Sequence, residues 1–93
     1  MPTITLTPEH LQRIMRAIDE PSRYGMLREI YSTTELTCGA MTEALGLNAG
    51  TASHHLHILE EAELVSVTKA GRYKLLSPRR DVWKAYLSEL KQL

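Results

Sequence analysis

Three histidines within four residues, His54, His55 and His57, and a lone cysteine, Cys38, are the groups of this chain whose chemistry first suggests a metal or a reaction. A zinc site on a helix needs ligands that converge, as an i, i+4 pair does, whereas neighbours at i, i+1 and i+3 point in different directions. No metal is therefore expected on this triplet. Cys38 falls in the first turn of an expected helix, where the dipole favours a thiolate, so it is a candidate redox thiol. Its ordinary role is the stronger expectation: a lone thiol usually serves as a small, partly buried hydrophobe, and here no second thiol completes a ligand pair. Ser53 and His57 share a helix face, but no positioned acid or oxyanion donor accompanies them, so neither an enzyme nor a cofactor is expected. A different chemistry fits better. Asn48, Thr51, His54 and His57 recur every three residues, placing short polar groups on one face near a helix start, where a recognition helix presents side chains to base edges. Ser53 either joins them on a base or phosphate or bonds back to its own helix.

The elements that must position these groups are legible. Over Leu47 to Glu61 the apolar positions Ala52, Leu56 and Leu59 fall at i, i+4 and i+7, which predicts a helix with one face in the core. Upstream, Thr37 to Gly46 has a capping Thr, apolar Met41, Ala44 and Leu45, and a helix-stopping Gly46. A short helix, a tight turn at Gly46-Leu47-Asn48 and a longer helix make a helix-turn-helix. Downstream, Leu64 to Thr68 and Arg72 to Leu76 alternate apolar and polar residues around Lys69-Ala70-Gly71, as a β-hairpin does. The whole is a winged helix-turn-helix. Lys69, Arg72 and Lys74 flank the glycine of the wing, where cations can straddle a phosphate or enter the minor groove, although a solvated hairpin tip would look the same. The reading helix itself holds no Arg or Lys, so bidentate recognition of guanine is not available from it.

The runs Ala44-Leu45-Gly46-Leu47, Thr51 to Leu56 with its Ser-His-His-Leu, Leu59 to Val65 and Gly71-Arg72-Tyr73 resemble the ArsR-type regulators, small dimeric repressors of bacteria and archaea, over about Glu35 to Leu76. The resemblance implies double-stranded DNA and a second copy of the chain as partners. It also weighs on single residues. Metal-sensing members carry a pair of thiols around position 38, which Thr37-Cys38-Gly39-Ala40-Met41 lacks, and the family's other metal pattern on the last helix finds no His at Asp81-Val82-Trp83 or beyond. Arg23 matches an Arg of the family at the start of the second helix; a phosphate contact and an ion pair with Asp19 or Glu20 are both open to it. Glu63 stands where the family has a glycine closing the recognition helix; a left-handed conformation there would cost about 1 kcal/mol.

Ninety-three residues make one domain, 1–93, with an aliphatic core, since aromatics are only 5% and Phe is absent. No apolar run approaches membrane-spanning length and there is one Cys, which point to a cytoplasmic protein with no membrane partner. The zero net charge hides a split: residues 1–63 carry four cations against nine anions (−5), and residues 64–93 seven against two (+5). Positive charge gathered at the wing and beyond suits phosphate contact.

Two terminal helices complete the chain. Thr7-Pro8-Glu9 starts a helix with Leu11, Ile14, Met15 and Ile18 on one face. Pro21 starts a second, with Gly25 marking an expected close helix approach. After Pro78, a last helix from Asp81 to Leu90 carries Val82, Trp83, Tyr86, Leu87 and Leu90 on a stripe wider than one small core needs. Both stripes are expected at a dimer interface, in line with the role the resemblance gives the first helix. The expected architecture is thus mainly α with a small hairpin, α-α-α-α-β-β-α, dimerising through its terminal helices. The expected function is a homodimeric repressor reading an inverted repeat, its inducing signal unspecified, with oxidation of Cys38 one candidate. The acidic first two-thirds and the Arg-free helix leave a second reading, a protein-binding winged helix with weak or no DNA binding.

Overall fold

Four helix starts are fixed by side chains that accept from backbone N–H groups left without partners in the first turn. The computed structural model describes residues 4–93. Thr7 caps α1 (Pro8–Ile18), Glu20 caps α2 (Pro21–Tyr31), Thr37 caps α3 (Cys38–Leu45) and Asn48 caps α4 (Ala49–Glu61). Two strands, β2 (Val65–Ala70) and β3 (Tyr73–Pro78), form the wing, and α5 (Arg80–Leu90) ends the fold.

One element was not expected. Leu36 and Thr37 form a short strand β1 that pairs antiparallel with Leu76 and Leu75 of β3, so the sheet has three strands in the order β1-β3-β2. The wing turn is also displaced. Register runs from Val65↔Pro78 to Ala70↔Tyr73, leaving Gly71-Arg72 as a two-residue loop rather than Lys69-Ala70-Gly71. Gly71 takes φ +62°, the conformation the first position of such a tight hairpin loop needs. Each strand is therefore longer, and Lys69 and Lys74 become direct cross-strand partners.

The core is aliphatic, built from Ile14, Met26, Leu27, Ile30, Met41, Leu56, Leu59, Leu64 and Leu76, with Val82 and Tyr86 of α5 closing it. Three residues assigned to the dimer face, Ile14, Val82 and Tyr86, are thus interior to a single protomer. Gly25 does not mark a close approach: a Cβ built there would meet nothing within 4 Å. No helix among the described residues is long and apolar enough to cross a membrane.

Candidate nucleic-acid interface

The reading helix is set by its two ends. Gly46, at φ +65°, reverses the chain after α3 through bonds from its own N–H to Glu43 O and from Leu47 N–H to Thr42 O. α4 ends by the same device: Glu63 N–H donates to Glu60 O at 2.9 Å and Leu64 N–H to Leu59 O at 3.1 Å. Here the left-handed residue is Glu63, at φ +61°, the only non-glycine with positive φ among the described residues. The strain foreseen at that position is present.

Between those ends Ala52, His55, Leu56 and Leu59 face inward, while Asn48, Thr51, Ser53, His54 and His57 are exposed. Three of these have further commitments. Asn48 uses Oδ1 to accept from Thr51 N–H at 2.8 Å, which leaves its amide NH2 as the group free to donate outward. His57 Nε2 lies 2.7 Å from Glu61 Oε1, an exposed pair one turn apart. Ser53 turns from the His54 side toward the wing and lines a groove of about 430 Å³ with Thr37, Cys38, Thr42, Arg72 and Lys74. His55 is buried beside Arg23 and Glu20.

Lys69, Arg72 and Lys74 are all exposed, and the Arg72 guanidinium lies over the Tyr73 ring at 5.8 Å. Tyr73, Thr37 and Thr42 were not read from sequence as part of the interface; their place in the groove depends on the β1–β3 pairing, which brings the start of α3 against the wing. Not all the positive charge of the last third is free. Arg79 forks onto Asp81, which holds the Asp81 carboxyl below its ordinary value, and Arg80 donates from Nη2 to Tyr31 O and Thr33 O, closing α2. Cys38 is half-buried at the first position of α3, packed on the core at the floor of the same groove.

Arg23 is not placed for phosphate. Its guanidinium is turned inward onto the end of α1, with Asp19 Oδ1 at 3.5 Å as its ion-pair partner. On the terminal helices, Leu11, Ile18 and Trp83 are half-buried against the core, whereas Met15, Leu87 and Leu90 remain 44%, 39% and 38% exposed.

Comparison with known proteins agrees with this geometry. Residues 18–68 match the family model described as a helix-turn-helix domain. The chain is 37% identical over 76 residues, 81% of its length and 76% of the relative's, to the uncharacterised HTH-type transcriptional regulator YceK of Bacillus subtilis. It is 29% identical over 63 residues, 68% of its length and 69% of the relative's, to the transcriptional repressor SdpR of the same organism. Among solved structures, an ArsR family transcriptional regulator superposes with a TM-score of 0.83 at 20% identity over 96% of this chain and 91% of the other. The homodimeric winged helix-turn-helix DNA-binding domain Mb0332 of Mycobacterium bovis superposes at 0.75, with 23% identity over 90% of this chain and 79% of that one.

Proposed function

Because this chain belongs to the helix-turn-helix family of transcriptional regulators and has the fold of ArsR-family members, we propose that it is a homodimeric repressor that binds an inverted repeat in double-stranded DNA. The single domain 1–93 would act as a pair, with two copies of α4 in successive major grooves about 34 Å apart. The observation that carries the reading is a division of labour. Residues 29–68 hold no Lys or Arg at all, yet they expose the polar face Asn48, Thr51, His54 and His57 beside a wing that exposes Lys69, Arg72 and Lys74. Affinity then comes from wing cations on phosphates, and preference comes from the uncharged groups of α4. Ser53, facing the wing groove, belongs with the phosphate contacts. Repression is supported by the likeness to SdpR, and pairing by the likeness to the homodimeric domain.

Six wing cations in a dimer set a log–log salt slope of about −5 if each meets a phosphate. In gel shifts with duplexes selected from a random pool, Arg72→Ala should weaken binding to every sequence alike, whereas His54→Ala should change which sequence is preferred. Parallel losses for both variants on all duplexes would defeat this assignment. The carboxylate of Glu61 beside His57 favours the second reading, a protein-binding module; binding to random duplex that is absent or insensitive to salt would decide for it.

A further inference from the structure

One largely enclosed guanidinium joins the reading helix to the body of the protein. The Arg23 side chain, in the first turn of α2, is only 12% exposed, and donors so placed need acceptors. Three elements meet there. Nε donates to Ala17 O at 2.9 Å and Nη2 to Arg16 O at 3.1 Å, two carbonyls of the last turn of α1 that have no partner inside their own helix. Nη1 lies 3.2 Å from Nδ1 of His55, in the middle of α4. Arginine has nothing to accept with, so Nδ1 must offer its lone pair and the imidazole proton resides on Nε2. That atom faces Glu20 Oε2 at 3.7 Å, and the same carboxylate oxygen accepts from Arg23 N–H at 2.9 Å. End of α1, start of α2 and centre of α4 are thereby closed into one ring of polar contacts around His55.

His55 stands next to His54, two residues before His57 and four after Thr51, so the azimuth of its ring fixes which side of α4 those residues face. We propose that Arg23 and His55 are positioning residues for DNA reading, a guanidinium–imidazole joint that sets the roll of α4 against α1. The proposal rests on the reading of α4 as the base-contacting helix. It adds that movement of the α1 end, on a helix placed at the dimer contact, reaches the bases through these two side chains.

The test uses the full chain and two duplexes, the best binder selected from a random pool and an unrelated sequence of equal length. His55→Leu keeps the volume and removes the acceptor; Arg23→Lys keeps the charge but cannot serve two carbonyls and an imidazole together. Each should lose about tenfold or more on the selected duplex, the size expected when a buried donor or acceptor is orphaned, and stay within about twofold on the unrelated one. The double variant should lose no more than either single one, because both break the same joint. His55→Gln, whose amide oxygen can still accept from Nη1, should recover to within about threefold of the unsubstituted chain. Should His55→Leu fail to fold by circular dichroism, Arg23→Lys carries the comparison. Parallel losses on both duplexes, or unchanged preference in both variants, overturn the joint. A wild-type chain that does not discriminate the duplexes overturns instead the reading of α4 on which it rests.

Discussion

Lys69 of β2 and Lys74 of β3 are direct cross-strand partners near the tip of the wing. Like charges opposite each other weaken a hairpin, and both side chains are exposed, so the arrangement is mildly unfavourable in the free protein and becomes favourable only against an anion. Lys74→Gln should therefore leave stability unchanged or raise it by a few tenths of a kcal/mol. The same change should lower affinity for all duplexes and reduce the magnitude of the salt slope by about 1 for each phosphate that is no longer neutralised. Titrations at several salt concentrations read the slope directly; an unchanged slope would show that this lysine pair does not meet the backbone.

Glu63 and Gly46 perform the same task at the ends of neighbouring helices, and only one of them is suited to it. A left-handed conformation costs an L residue with a Cβ roughly 1 kcal/mol or more, and glycine nothing of that kind. Glu63→Gly should raise unfolding free energy by up to about 1 kcal/mol, and Gly46→Ala should lower it by a similar amount. Urea unfolding of the two variants measures both signs at once. A loss of stability in Glu63→Gly would mean that the Glu63 side chain contributes more than its backbone strain removes.

How far the sequence carried the structure depends on the range of the interactions involved. The α3–turn–α4 unit was legible because its determinants are local: the Thr37 cap, Gly46, and the period of Ala52, Leu56 and Leu59, whereas the cap that Asn48 makes on α4 was not read from sequence. The strain at Glu63 was legible too, through the resemblance, which puts a glycine at that position. Apart from the Asn48 cap and the wing turn, which lies at Gly71-Arg72 rather than Lys69-Ala70-Gly71, the misses are long-range. Two residues of β1 carry no period, and their pairing depends on β3 forty positions away. The apolar stripes of α1 and α5 mark what is buried without saying which chain buries it, so Ile14, Val82 and Tyr86 were assigned outward although one protomer encloses them. Arg23 and His55, 32 residues apart, could each be seen as polar groups on helices, but their contact belongs to the tertiary fold. His10, which is buried and places Nε2 2.8 Å from Ala62 O, gave no signal in the sequence for the same reason.

Tyr31 ties α2 to both ends of the wing. Its hydroxyl lies 2.6 Å from Leu64 O and 3.1 Å from Arg79 O, and burial pushes its pKa up to about 12 from an ordinary 10.0. The folded state thus favours the neutral phenol. Stability from this group is complete below pH 10, where the unfolded chain also keeps the proton, and is lost as pH rises from 10 toward 12. Tyr31→Phe should cost about 1 kcal/mol at neutral pH, by removing the phenol's bond to carbonyls that keep only their backbone donors, Arg79 N–H on Leu64 O and Trp83 N–H on Arg79 O, and should remove this part of the alkaline decline. Thermal unfolding at pH 8, 10 and 11.5 compares the curves; identical alkaline slopes in both proteins would exclude Tyr31 as the titrating group.

The division of the α1 and α5 stripes also makes the pairing surface testable. Val82 is buried within one protomer, whereas Met15, Leu87 and Leu90 keep more than a third of their surface exposed on the same two helices. Apolar area of that kind is the part left over for a second copy. Val82→Ala should reduce stability by about 0.5–3 kcal/mol, as core truncation does, without making a monomer of the protein at high concentration. Leu87→Glu with Leu90→Glu should do the reverse: each folded protomer keeps its core, but the dimer is lost in sedimentation equilibrium. Affinity for a two-half-site duplex should then fall far more than affinity for a single half-site, because the second contact is no longer intramolecular. If the doubly substituted chain still sediments as a dimer, α5 does not join the subunits, and the exposed leucines face something other than a second copy.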